Sequence, residues 1–145
     1  MKYLVLLGRF LFSAIFVVAG FNHFSQGAIT HAASQGVPMA SLAVPFSGVL
    51  AIIGGLSIAF GYKARFGAVL IALFLIPVTF MMHKFWGLAD PAAVQMQMSH
   101  FMKNLALLGG AFLIWYFGAG PLSMDARGTH FQPRRDVFEH KDRAA

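Results

Sequence analysis

The sequence predicts an all-α integral membrane protein, a bundle of four transmembrane helices with both termini cytoplasmic. Three observations predict it. The 145 residues are 58% hydrophobic and 11% charged, with sixteen phenylalanines and a mean hydropathy of +0.68. A soluble chain of this length has too little interior to hide so much apolar surface. Four apolar segments stand out, each close to the ~20 residues that a bilayer crossing demands. Lysine and arginine gather on one side of those segments, which is how charge sets membrane orientation.

The first segment runs from Tyr3 to Phe24. Its start has the look of a secretory signal, but Arg9 interrupts what would be the apolar core and further spans follow, so an uncleaved span is expected. Arg9, Ser13, Phe16, Gly20 and His23 follow a 4-3-4-3 spacing, one narrow stripe down the helix. That stripe is expected to face the bundle interior. Snorkelling of Arg9 to the nearby interface is the competing placement.

The second segment, Ser41 to Gly61, carries Gly48, Ala51, Gly55 and Ala59 at seven- and four-residue offsets. Small residues let helix backbones approach in lipid, so this stripe suits packing and, if presented outward, self-association into a homo-oligomer. The third segment, Ala64 to His83, contains Pro77, expected to kink the helix or free a carbonyl. The fourth runs from Ser99 to Phe117. Between them lie "SQGAITHAASQGVP", a tight "GYKAR" turn and "KFWGLADPAAVQMQM", all expected as connections. Residues 1–122 thus form the transmembrane domain, and residues 123–145 a polar cytoplasmic tail. Its basic stretch, "RGTHFQPRRDVFEHKDRAA", suits anionic headgroups or a protein partner.

Lys2, Lys63, Arg65, Arg127, Arg134, Arg135, Lys141 and Arg143 fall on one side of this arrangement, and only Lys84 on the other. Nucleic acid binding is disfavoured, because the basic residues follow the membrane flanks.

The chain has no cysteine, which excludes disulfides, thiol nucleophiles and thiolate metal sites. It has five carboxylates, Asp90, Asp125, Asp136, Glu139 and Asp142, none inside a span. Arg9 and Lys103 therefore lie in spans without an intramembrane acid. A buried cation needs charged or hydrogen-bonded compensation: carbonyls, hydroxyls, lipid phosphate, a partner subunit, or an anionic or carbonyl-bearing ligand.

The topology brings other polar groups to the outer face. Asn22 and His23 end the first span, Thr79, His83 and Lys84 end the third, and His100, Lys103 and Asn104 begin the fourth. Trp86 and Phe85 belong to the aromatic belt. Four readings compete for this cluster. One is ordinary interface chemistry at helix ends. Another is a quinone site, with His, Lys and Asn holding the two carbonyl oxygens among apolar walls. A third is a small-anion site, favoured by unpaired positive charge. Haem or metal ligation by the histidines is the weakest, since their spacing matches no ligand motif. The eight methionines, "MQMQM" included, read as packing and interface residues. No catalytic residue is assignable: no nucleophile, base and orienting acid occur together.

"GRFLFSAIFVVAGFNHF", "GVLAIIGGLSIAFGYKAR", "TFMMHKFW", "FMKNLALLGG" and "SMDARG", in this order and spacing, resemble the DoxX family of small four-helix membrane proteins. The resemblance covers about residues 5–125. It implies an inner-membrane location and an association with quinone-linked redox systems and oxidative stress, as an accessory subunit rather than a defined enzyme. Arg9, Asn22, His83, Lys103 and Asn104 match the family's recurring polar positions. Many members carry a glutamate in the second helix where this chain has Ala51, and the loss of that acid would leave Arg9 without a partner.

The leading expectation is a DoxX-like membrane subunit binding a quinone or related small molecule near the outer leaflet. Arg9, Asn22, His23, His83, His100, Lys103 and Asn104 are its candidate ligand-binding residues, and no metal is expected. A non-catalytic scaffold that docks an oxidoreductase partner, and a small-anion transporter, are the alternatives.

Overall fold

The computed structural model describes residues 1–128, and they are all helical or connecting. Six helices follow in order: α1 (Lys2–Asn22), α2 (Gln26–Ser34), α3 (Ala40–Phe60), α4 (Ala64–Met82), α5 (Pro91–Phe117) and α6 (Met124–Gly128). Four are long. Of these, α1, α3 and α4 are each long and apolar enough to cross a membrane. The first half of α5 carries Gln95, Gln97, His100, Lys103 and Asn104, which lower its hydropathy.

Lipid supplies no hydrophobic drive between helices, so close backbone approach must hold the bundle together. The small residues provide it. A Cβ on Gly20 of α1 would lie 2.8 Å from the carbonyl oxygen of Gly48 on α3, and a Cβ on Gly48 would lie 2.8 Å from that of Gly20. Lower down, a Cβ on Gly55 would meet Ser13 O at 3.3 Å. The same device joins α3 to α4, where a Cβ on Gly54 would stand 2.9 Å from Gly67 O. On α5, a Cβ at Gly110 would sit 2.8 Å from the Phe12 ring of α1. Gly48, Ala51, Gly55 and Ala59 are all buried. The α3 stripe is therefore consumed inside the chain, against α1, and offers no face for self-association.

Between these seams Phe16, Ala51, Ile58, Ala68, Ile71, Phe74, Leu75 and Ala111 form the core. Phe16 and Phe74 meet edge to face at 6.2 Å between ring centres. The buried residues of α1 are Arg9, Ser13, Phe16 and Gly20, four members of the expected stripe. Outward, Leu4, Leu11, Val18, Leu42, Phe66 and Leu113 are among many large apolar side chains left exposed, as a lipid-facing surface requires.

Three element boundaries differ from the sequence reading. The stretch expected as the first outer loop contains α2, whose N-cap Ser25 accepts a hydrogen bond from Ala28 N–H. Helix α5 begins at Pro91 rather than Ser99, because Asp90 caps it, accepting from Ala92 and Ala93 N–H, and Pro91 occupies the first turn. Residues 123–128, expected as the start of the tail, fold onto the bundle: Ser123 is buried and Ala126 N–H donates to its hydroxyl. The basic stretch from 129 onward lies outside the described residues.

The α3–α4 turn and the chain after α5 lock together at the end of the bundle that holds Lys2, Lys63 and Arg65. Gly61 adopts φ +64°, and a Cβ there would overlap Ser123 Cβ and stand 2.9 Å from Arg9 Nη1. Asp125 accepts from Lys63 N–H at 2.7 Å and Ala64 N–H at 3.0 Å, capping α4 across the chain.

Candidate functional site

Arg9 belongs to that lock. The residue is 4% exposed, and its guanidinium donates from Nη1 to Ala119 O at 2.6 Å and from Nη2 to Leu122 O at 2.7 Å. The accepting segment is sharply turned: Gly118, Gly120 and Leu122 all have positive φ, so its carbonyls cannot join a helical ladder. Arg9 satisfies two of them. Compensation by carbonyls was among the expected solutions, and these two bonds provide it, with Asp125 of the same lock adding an opposite charge nearby. Ala51 does not bear on it. That residue packs in the core with Phe16 and Phe74, about 15 Å along α3 from Gly61 at 1.5 Å per residue. The absent glutamate therefore does not leave Arg9 unpaired.

At the opposite end the structure gathers two neighbouring groups. In the first, His83 and His100 stack with ring centres 5.2 Å apart, and His83 Nδ1 lies 3.0 Å from Gln97 Oε1. Burial lowers the His83 pKa below its ordinary value, and the nearby His100, Lys103 and His31 lower it further, against the opposing effect of Gln97. His83 thus favours its neutral form. Asn104 is 5% exposed, and its side chain makes no hydrogen bond among the described residues.

The second group lines a cavity of about 430 Å³ beneath α2, between α3 and α4. Its walls are apolar: Val44 and Leu50 from α3, Val78, Met81 and Met82 from α4, Ala32 from α2. Asn22, His23, His31 and Ser47 supply its polar groups. Phe46 and Leu73, 64% and 55% exposed, also line it, so its mouth is rimmed by side chains of the lipid-facing surface. Pro77 lies there too, and α4 runs through it unbroken to Met82. Having no N–H, Pro77 leaves the Leu73 carbonyl without its helical donor.

The seven sequence candidates therefore separate. Asn22 and His23 line the cavity, whereas His83, His100, Lys103 and Asn104 do not. Arg9 stands about 20 Å from His23 along α1 at 1.5 Å per residue. Sequence reasoning missed His31, Ser47 and Gln97, because two of them sit in stretches expected as loops and Ser47 resembles any small residue of a packed span.

Comparison with known proteins places the chain in a family. The DoxX profile matches residues 4–84, more than half of the 145 residues. The chain belongs to the DoxX family. It is 31% identical over 121 residues to the inner membrane protein YqjF of Escherichia coli K12, an alignment covering 83% of this chain and 88% of that protein. It is 32% identical over 82 residues to the ER-derived vesicles protein ERV29 of Saccharomyces cerevisiae, covering 57% of this chain and 26% of that protein. The chain thus spans about a quarter of ERV29. No solved structure matches. This DoxX-family chain is an inner-membrane protein in contact with the lipid bilayer. Every residue lining the cavity falls inside the matched stretch, while His100, Lys103 and Asn104 fall beyond it.

Proposed function

We propose that this chain binds a quinone-class molecule in the cavity beneath α2, as an accessory membrane subunit of a redox system. The observation that supports the reading most is the mouth of the cavity. Exposed Phe46 and Leu73 rim it, so a lipid-soluble ligand enters sideways from the bilayer. A volume of about 430 Å³ suits a substituted quinone ring, within the usual range for small-molecule sites. Asn22 and His31 engage the ring oxygens at the headgroup level, with His23 beside them in the lining. His83, with His100 and Lys103, forms a polar neighbour on the His31 side.

The reading includes a topology in which α5 is the fourth span and both termini are cytoplasmic. Lys2, Lys63, Arg65 and Arg127 at one end against Lys84 at the other support it. A single cysteine introduced at Gly27 or Leu88 is expected to react with an impermeant maleimide added outside intact cells, and one at Tyr62 only after permeabilisation. The reverse pattern inverts the protein.

Filling the cavity tests the ligand reading. Protein reconstituted in nanodiscs with ubiquinone-1 is expected to retain the quinone in native mass spectrometry, and Ala43→Phe, which adds a ring at the lining, to lose at least tenfold. Equal retention by both rejects the cavity as the site.

A further inference from the structure

The cavity's fixed polar groups are all hydrogen-bond acceptors, and we infer that it selects the hydroxyl-bearing, reduced form of its ligand, a hydroquinone, over the quinone. This rests on the quinone-class reading of the cavity.

Two groups carry the inference. His23 Nδ1 lies 2.6 Å from Ala19 O. A carbonyl oxygen only accepts, so Nδ1 holds the proton, and the neutral ring has a bare lone pair at Nε2. Ser47 Oγ donates to Val44 O at 2.7 Å. Its single proton is thereby used, and only its lone pairs remain for a ligand. Beside them, Pro77 leaves the Leu73 carbonyl one turn earlier without its helical donor. His23, Ser47, Leu73 and Pro77 all line the cavity.

A quinone carbonyl offered to such groups places acceptor against acceptor in an apolar site. A hydroquinone hydroxyl supplies the missing proton. The binding step is a hydrogen bond from the ligand's O–H to His23 Nε2, with no bond made or broken. Asn22 and His31, both exposed, stand at the edge of the cavity and can serve either form. They give affinity without this preference.

The experiment compares three probes of one ring in nanodiscs under anaerobic conditions: durohydroquinone, duroquinone and the dimethyl ether of durohydroquinone. It is run at about pH 8, where an ordinary imidazole is neutral. Durohydroquinone is expected to bind about tenfold more tightly than the other two, the value of one well-placed hydrogen bond. His23→Phe removes the lone pair while keeping a ring, and is expected to bring durohydroquinone down to the affinity of duroquinone. The dimethyl ether tests the same hydrogen bond on the unaltered protein, independently of how the variant folds. Duroquinone binding as tightly as durohydroquinone, or the ether binding as tightly as the free hydroxyl form, overturns the inference and leaves the cavity reading standing. Failure of all three probes to bind overturns both.

Discussion

Replacing Arg9 by alanine is expected to lower the unfolding free energy by about 3–6 kcal/mol, since its two hydrogen bonds come from a charged donor and contribute about 1.5–3 kcal/mol each. The two accepting carbonyls, Ala119 and Leu122, sit in a segment whose positive φ values keep them out of any helix. Without the guanidinium they stay unpaired at the edge of the bilayer, where an unsatisfied polar group is costly. The damage should spread to the lock around Gly61 and Asp125, because Ser123 packs against Gly61 and Asp125 caps α4. Arg9→Lys should recover only part of the loss, as one ammonium cannot serve two carbonyls with the fixed fork of arginine. Reversible unfolding in lipid or mild detergent measures both variants. A loss below about 1 kcal/mol for Arg9→Ala, the size of a single ordinary hydrogen bond, contradicts the assignment. Quinone retention in the folded fraction should be little changed, because the cavity lies at the other end of the bundle.

Gly48→Leu is expected to cost about 3 kcal/mol, the upper range for overpacking a filled interior, and to abolish ligand retention as well. Even a Cβ at this position would stand 2.8 Å from Gly20 O and 2.8 Å from His23 Cβ. The first neighbour is backbone and cannot rotate away, so α1 and α3 must separate. The second carries the imidazole that lines the cavity, so the same separation moves the acceptor from its place. Gly109→Leu on α5 is the matched control, since a Cβ there meets nothing within 4 Å. Stability and retention in that control should stay close to the parent protein. If Gly48→Leu unfolds no more readily than Gly109→Leu, the α1–α3 seam is not the close contact described.

The membrane class and the long apolar helices were legible because composition and segment length are strong signals. The inward stripe of α1 was legible for a related reason: a helix of period 3.6 makes Arg9, Ser13, Phe16 and Gly20 one face, and a buried arginine has few other places to go. The folded segment after α5 was harder to read. "SMDARG" looks like any polar tail, and its anchorage depends on Arg9 and Gly61, distant in sequence. The candidate site was half legible. The sequence puts Asn22 and His23 at the end of the bundle where the cavity lies, but it groups His83, His100 and Lys103 with them on depth alone. Depth does not tell on which side of a helix a residue lies. The cavity exists because α2 covers α3 and α4, and α2 lies in a stretch rich in small and polar residues that reads as a loop. Its acceptor bias was not legible either, since it depends on where the protons of His23 and Ser47 are already spent.

The measurement that bears most directly on the account is photo-crosslinking with an azido-ubiquinone in nanodiscs, followed by peptide mapping of the labelled positions. The cavity reading predicts label concentrated between Ala43 and Leu50 on α3 and between Leu73 and Met82 on α4, with competition by unlabelled quinone. Label spread along the lipid-facing surface, or confined to the neighbourhood of His100 and Lys103 on α5, would contradict it.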